Sequence, residues 1–593
     1  MTLEFIDWIS IIAFFVVSLI VGISVMKKAG SSAAEFFATG RSMPWWLLGV
    51  SMVATTFSAD TPNLVTDLVR QHGVAGNWMW WAFLLTGMVT VFIYSKLWRR
   101  SGVLTDIEFY ELRYSGKTAA FLRGFRSLYL GVFFNVVIMA SVLLAAIKIS
   151  GVLLGISPSR TVLLVSVIVV IYTMLGGLRG VLITDFIQFI IAMTGSVYAA
   201  YIVVNLPEVG GLGGLLTHPA VRDNISILPD FSDTSLLMTV FIIPLAVQWW
   251  SVWYPGAEPG GGGYIAQRML AAKDEKNAVG ATLLFNIAHY AVRPWPWILV
   301  ALASLILFPD LETLARAFPD MPAAMVQHDM AYSAMLTYLP AGLLGLVIAS
   351  LIAAVMSTIS THLNWGASYV VNDFYKRFVR KDPKEKELVL FGRITVLILM
   401  LLSAGLALLL SSALQAFRIM LQIGAGTGLL FLLRWFWWRI NALSEISAMI
   451  ISFLVAVYFE FVHTAIGMPD LLAWQKLVIG VFITTAGWML VTMFTKPASE
   501  KTLIDFCRKV NPGGPGWKRI MAMAPELADR EKQGWDVPSG MIGVFLGLIL
   551  IYSALFATGF WLYSNTSAAL VATLTSGIAA YMLARLWGNL RMN

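Results

Sequence analysis

The stretch IASLIAAVMSTISTHLNW, residues 348–365, carries Ser357, Thr358, Ser360, Thr361 and Asn364 in an otherwise apolar run. Offsets of three, four and seven put Ser357, Ser360, Thr361 and Asn364 along one side of a helix, with Ala354 one turn earlier. Hydroxyls in such a run have two uses. They bond back to their own helix and pack against a neighbour, or they supply oxygens to a cation stripped of its water. A hard monovalent cation needs roughly five or six oxygens, from hydroxyls, freed backbone carbonyls and at most a carboxylate.

Two other stretches supply the missing parts of such a shell. In GGLRGVLITDFIQF, Asp185 lies within an apolar run, where an ionised carboxylate costs roughly 2.5–3.5 kcal/mol in a membrane and calls for a compensating cation or proton. A carboxylate near the inner interface, paired with Arg179, is the alternative reading of the same residue. In MVATTFSADTPNLVTD, Ser58, Asp60, Thr61, Pro62 and Asn63 interrupt an apolar run after Ala54, which would free backbone carbonyls there. A second interruption, PLAVQWWSVWYPGAEPGGGGY, carries Pro244 and Gln248 and ends in a Pro/Gly-rich break. Lipid cannot satisfy freed backbone groups, so such breaks line a protein cavity.

These groups need membrane helices to position them, and the composition supplies them. Hydrophobic residues make up 58% of the 593 positions and charged ones 12%, with a mean hydropathy of +0.78. A soluble domain has about a quarter charged residues. The chain is therefore expected to be an all-α polytopic membrane protein, and it lacks the short alternating segments of a β-barrel. Fifteen spans are expected, roughly at 5–26, 45–66, 78–98, 125–155, 160–177, 181–205, 235–256, 278–308, 335–372, 388–411, 416–439, 442–463, 472–495, 539–562 and 566–588. The first run follows Glu4 and Asp7 and is read as a membrane helix, not a cleaved signal. A single cysteine, Cys507, excludes an internal disulfide framework and a cysteine-built metal site.

The net charge of +8 reports orientation. With the N-terminus outside, the inner connections take Lys27, Lys28, Arg41, the cluster from Lys96 to Arg126, Arg268, Lys273, Lys276, the run from Lys376 to Arg393, and the segment from Lys496 to Lys532. The outer connections at 206–234 and 309–334 are mostly acidic. This is the positive-inside pattern, and it implies a protein integral to the plasma (cytoplasmic) membrane with its C-terminus inside. Membrane lipid is the expected surroundings, and nucleic acid is not an expected partner.

The second and seventh spans are both interrupted, are five apart, and enter from opposite sides. Interrupted helices at matching positions of two oppositely oriented halves indicate an inverted-repeat transporter with its site at the midplane. The pocket candidates are Asp60, Thr61 and Asn63 on the first break, Gln248, Trp249 and Trp253 on the second, and Arg293 on the eighth span, with Asp60 as a candidate partner for Arg293. An enzyme would need a metal-ligand spacing or a nucleophile with a base. The six histidines are dispersed, and only His362 lies beside a proposed site.

The segments PWWLLGVSMVATTFSADT, GVLTDIEFYELRYSG, GGLRGVLITDFIQF, AAVMSTIS and FWWRIN together resemble the sodium/solute symporters, which include sodium/glucose cotransporters and bacterial sialic acid and proline carriers. The resemblance runs from about residue 5 to 440. It implies a five-plus-five, leucine-transporter-like inverted repeat over 45–439 (repeat one 45–205, repeat two 235–439). Outside it lie an extra N-terminal helix and first cytoplasmic loop (1–44), two additional helices (440–495), a cytoplasmic loop (496–538) and two C-terminal helices (539–593). It implies a conserved sodium site at the carbonyls of Ala54, Phe57 and Ala354 and the hydroxyls of Ser357 and Thr358. A second sodium site, present in some members, matches Asp185, Ser357, Ser360 and Thr361. The expectation is a sodium-coupled symporter, not an enzyme, that moves a small polar organic solute with two sodium ions and no organic cofactor.

The likeness to the sugar carriers has departures. Thr61 falls where they carry histidine, Trp80 roughly where they carry glutamate, their glutamine on the last core helix has only Gln415, Arg418 and Gln422 near it, of which Gln422 is the pocket candidate, and the run Gly260–Gly263 exceeds the usual pattern. Arg293, three residues before Pro296, resembles the spacing of a lysine near their sugar site. A sugar or sugar derivative is placed slightly ahead of amino acids and carboxylates. A proton-coupled carrier of the same fold is the alternative coupling.

Overall fold

The computed structural model of the chain describes residues 3–29, 32–251, 259–319, 321, 323, 326–410, 424, 426–524, 526–527 and 535–588. Among these the protein is helical throughout, apart from one bridge pairing Met43 with Ala272. The first helix, α1, is Phe5–Ala29. The second expected span is two helices, α2 (Trp45–Thr56) and α3 (Asp60–His72). Phe57 leaves the helix with φ −84° and ψ 67°, and Pro62 in the first turn of α3 fits where no N–H partner is needed.

Helices α4 (Val74–Ser101), α5 (Gly116–Leu154), α6 (Pro158–Ile171) and α7 (Gly177–Val204) follow. α6 and α7 belong to one hydrogen-bonded stretch of 47 residues, turned at Gly177 (φ 53°, ψ −159°). A straight helix of that length would be about 70 Å long, more than twice the roughly 30 Å hydrocarbon core. Glycine is required at the turn: its φ is positive, and a Cβ would lie 2.9 Å from the Phe36 carbonyl oxygen.

The seventh expected span is also broken, and its helix ends before the Pro/Gly-rich stretch. Helix α8 (Thr234–Ala246) gives way to a turn at Gln248–Trp250. Beyond residues 252–258 the chain resumes as α9 (Gly263–Ala271). Gly260, Gly261 and Gly263 all have positive φ. They let the backbone press against Trp98, whose indole N–H donates to the Gly260 carbonyl at 2.8 Å. α9 is buried, so Arg268 lies inside the protein and not in the connection where its neighbours Lys273 and Lys276 suggested.

The main helices that follow, apart from short ones in the connections, are α10 (Glu275–Leu307), α11 (Leu343–Val379), α12 (Glu385–Ala407), the short α13 (Gly428–Leu433), α14 (Ala442–Val462), α15 (Ala473–Phe494), α16 (Glu500–Val510), α17 (Val537–Leu562) and α18 (Thr566–Trp587). Among the described residues ten helices are long and apolar enough to cross a membrane, and four shorter apolar ones accompany them: Phe5–Val17, Trp45–Thr56, Pro158–Ile171 and Thr234–Ala246. Together they match fourteen of the fifteen expected spans. The eleventh, expected at 416–439, begins outside the described residues, which take in 424 and 426–439 with the short α13.

α2 sits at the centre, packed on α10, α7 and α11, while α7 runs along α11 and α1. At one end of the bundle the basic connections meet acidic partners. Arg100 pairs with Glu275 at 2.8 Å, Lys96 with Asp536 at 3.1 Å, and Arg123 and Arg377 both with Glu111 at 2.8 Å. The amphipathic α16 lies there too, with Leu503, Phe506, Cys507 and Val510 buried and Phe506 against Phe109, Trp435 and Trp517.

Candidate functional site

The break after α2 strands the carbonyls of its last turn, and the structure accounts for each of the last four. Val53 and Ala54 oxygens accept from the Phe57 N–H at 2.8 and 3.1 Å. The Thr56 oxygen accepts from the Thr61 hydroxyl at 3.2 Å. The Thr55 oxygen accepts from the Thr358 hydroxyl of α11 at 2.8 Å, and the same hydroxyl reaches the Ala354 oxygen at 3.1 Å. One threonine therefore ties the broken end of α2 to α11. The carbonyl it meets directly is that of Thr55, next to the expected Ala54. Of the expected ligands, Thr358 and the Ala354 carbonyl meet at this junction, the Ala54 carbonyl is held by the Phe57 N–H, and the Ser357 hydroxyl turns to Asp185.

Asp185 of α7 is fully buried one layer away. Its carboxylate accepts from Ser357 at 2.6 Å and from Ser51 of α2 at 2.5 Å. Its cation is Arg268, 3.7 Å away. Arg179, the alternative partner, instead lies 3.8 Å from Glu35 and donates to Ser42 at 3.4 Å. The Arg268 guanidinium also donates to Ser51 at 3.2 Å and Thr361 at 2.8 Å, and to the neighbouring Gln267 side chain at 2.9 Å. Thr361 shares a further 3.0 Å hydrogen bond with Thr55. Ser360, the fourth residue expected at the second site, donates to the Ser357 carbonyl of its own helix at 3.0 Å.

A cavity of about 340 Å³ opens beside the junction, within the roughly 300–1,000 Å³ range of small-molecule sites. Asp60, Thr61, Asn63 and Arg293 line it as expected, together with Thr358 and His362. α10 builds the facing wall. A bulge at Ala288–Val292, in which the Arg293 N–H reaches back to the Ala288 oxygen at 3.2 Å, precedes Pro294 and Pro296. Such bulges re-aim side chains at functional sites. Here His289 and Arg293 form one unit: Arg293 bonds the His289 ring nitrogen at 3.0 Å and Thr56 at 3.3 Å, and the other ring nitrogen bonds Thr56 at 3.1 Å. Among the described residues Arg293 makes no direct ion pair with Asp60; its partners are His289 and Thr56. Trp80 stacks on Tyr290 with ring centres 5.7 Å apart, and both line the cavity.

Four buried atoms of lining residues lack a hydrogen-bond partner: the hydroxyl of Ser58, the side-chain carbonyl oxygens of Asn63 and Asn286, and one carboxylate oxygen of Asp329. Gln248 and Trp249 are not part of the wall. Gln248 donates to the Met79 carbonyl at 2.6 Å, and the Trp249 carbonyl accepts from Thr86. Trp253 and Gln422 lie outside the described residues. His289, Asn286, Ser51 and Arg268 escaped the sequence reading. The i,i+4 spacing of His289 and Arg293 was a usable signal for the first of them, and His362 is thus not the only histidine at the site.

The profile of the sodium:solute symporter family matches residues 36–452. The sodium/glucose cotransporter of Vibrio parahaemolyticus is 27% identical over 502 residues, covering 81% of this chain and 90% of that one. Sodium/glucose cotransporter 1 of Oryctolagus cuniculus is 24% identical over 550 residues, covering 84% and 80%. The solved structure of a Na+-coupled sialic acid symporter superposes with a TM-score of 0.66 over 84% of this chain and 99% of that one, at 22% identity, a likeness of fold. These relatives are transporters and not enzymes. The chain belongs to the sodium:solute symporter family and is an integral membrane protein of sodium-coupled solute transport.

Proposed function

We propose that the chain imports a sugar or sugar derivative by sodium-coupled alternating access, on a five-plus-five inverted repeat whose broken helices are α2/α3 and α8/α9. The observation that carries the solute class is the cavity wall. Asn63 and Asn286 present buried acceptor oxygens without partners, and Asp60 lines the same space. A buried acceptor left unpaired costs about 1–3 kcal/mol, which a ligand hydroxyl would relieve. Arg293 lines the same space with a guanidinium whose five N–H groups exceed its bonds to His289 and Thr56, and Trp80, Phe285 and Tyr290 offer flat apolar faces for a ring. A polyhydroxylated ring matches this mixture better than a small carboxylate does.

The coupling sodium belongs at the α2–α11 junction, with the Ala54, Phe57 and Ala354 carbonyls and the Ser357 and Thr358 hydroxyls as its shell. Sodium there would take over the Ala354 carbonyl oxygen that the Thr358 hydroxyl now reaches. It would hold α2 against α11 and shape the adjoining cavity, which Thr55, Thr56 and Thr358 border. Solute binding then completes the closure, and rocking to the other side releases both. With the N-terminus outside and about −100 mV across the membrane, each sodium entering contributes roughly 2.3 kcal/mol.

The test is uptake of a labelled panel of sugars and amino acids into proteoliposomes of the purified protein, with an inward sodium or potassium gradient. Accumulation under sodium alone supports the reading. Accumulation driven by a proton gradient without sodium would overturn the coupling, and uptake restricted to amino acids would overturn the solute class.

A further inference from the structure

We propose that Arg268 is the resident cation of the second site, so that this transporter binds one sodium ion, at the α2–α11 junction, where two were expected. The inference rests on the sodium-symporter reading above and goes beyond it in stoichiometry.

The oxygens available for a second sodium are already engaged by the guanidinium or by each other. Asp185 and Arg268 stand 3.7 Å apart with both side chains fully buried. Ser51 has one hydroxyl proton, which it donates to Asp185 at 2.5 Å, and its oxygen accepts from Arg268 at 3.2 Å. Thr361 accepts from Arg268 at 2.8 Å, and Ser360 is turned back to the Ser357 carbonyl. Ser357 gives its proton to Asp185. Arginine keeps its charge in a protein interior, so Asp185 and Arg268 form a neutral pair. Adding sodium would place two positive charges on one buried carboxylate.

The position of Arg268 is built by the chain around it. The glycine run turns the backbone into α9, whose first residue is anchored by the Gly263 N–H on the Asp106 carboxylate at 2.8 Å. Gln267 fixes the next turn through Asn364 at 3.0 Å and the Phe37 carbonyl at 3.1 Å. α9 is the second half of a broken helix. The guanidinium thus links that half to α2, α7 and α11 in one network, the task a bound ion would otherwise perform between those helices.

Counting bound sodium by equilibrium binding of radioactive sodium to purified protein tests this without knowledge of the solute. Because the arginine charge is permanent, wild type should bind about one sodium per chain and Arg268→Gln about two. Arg268→Lys, which keeps a cation, should stay at about one. The charge-neutral pair Arg268→Gln with Asp185→Asn should also stay at about one and serves as the folding control. Two ions bound to wild type, or a single ion bound to folded Arg268→Gln, would overturn the proposal. No sodium bound to wild type would instead overturn the sodium-symporter reading itself.

Discussion

The Thr358 hydroxyl of α11 lies 2.8 Å from the Thr55 carbonyl oxygen, at the point where the central helix breaks. This one contact joins the two elements that the hydroxyl row and the SADTP interruption marked separately in the sequence.

Thr358→Ala removes a proposed sodium ligand and the tie to Thr55. Sodium affinity should fall about tenfold, a loss near 1.4 kcal/mol, whereas Thr358→Ser should stay within about threefold. Sodium titration followed by intrinsic tryptophan fluorescence would check it. An unchanged Thr358→Ala affinity would remove this hydroxyl from the ion's shell.

Asn286→Ala deletes an unpartnered acceptor from the cavity wall. The protein should lose little stability, because the unsatisfied oxygen leaves together with the one bond of the amide, to the Thr282 carbonyl at 2.8 Å, yet solute affinity should drop about tenfold or more. Melting curves and isothermal calorimetry on the same preparation separate the two effects. A large fall in stability with unchanged solute affinity would make Asn286 a structural residue.

Asp185→Asn leaves Arg268 buried without its counter-charge, so it should destabilise the fold by about 3–5 kcal/mol. Arg268→Gln alone should also destabilise, and the double variant should recover most of the loss. A double-mutant cycle in detergent measures the coupling. Strictly additive losses would mean that the pair does not interact in the folded protein.

Glu111 lies in the short connection before α5. Partial burial pushes its carboxyl up, but hydrogen bonds from Arg377 and Arg123 prevail and hold it below its ordinary value of 4.5. A carboxyl depressed on folding stabilises above its unfolded pKa, and that contribution is lost as pH falls through the folded value. Wild type should therefore lose melting temperature faster than Glu111→Gln as pH drops below 4.5. Parallel pH profiles for the two proteins would contradict the assignment.

How much of this was legible in the sequence follows from the kind of signal each residue carries. The row Ser357, Thr358 and Thr361, the buried Asp185 and the break after Ala54 break a local rule of apolar helices, and each sits at the site. Arg268 was misread because charge patterning assigns residues by their chain neighbours. Lys273 and Lys276 suggested a connection, and the four-glycine run hid the return of the chain into the core. Gln248 and Trp249 had the chemistry of a pocket, but the turn that carries them packs against Met79 and Thr86. His289 reaches the cavity through a backbone bulge beside Pro294, a distortion that regular helical spacing does not foretell.

The most direct test of sodium-coupled sugar recognition is the melting temperature of the purified protein in sodium and in potassium, each with a panel of sugars, sugar acids, amino acids and carboxylates. A ligand that binds only the folded state raises it with the logarithm of its concentration over Kd. The account predicts a shift from sodium alone, and a further shift from a sugar or sugar derivative that appears only in sodium. Equal sugar shifts in sodium and potassium, or a shift that follows pH and not sodium, would contradict it.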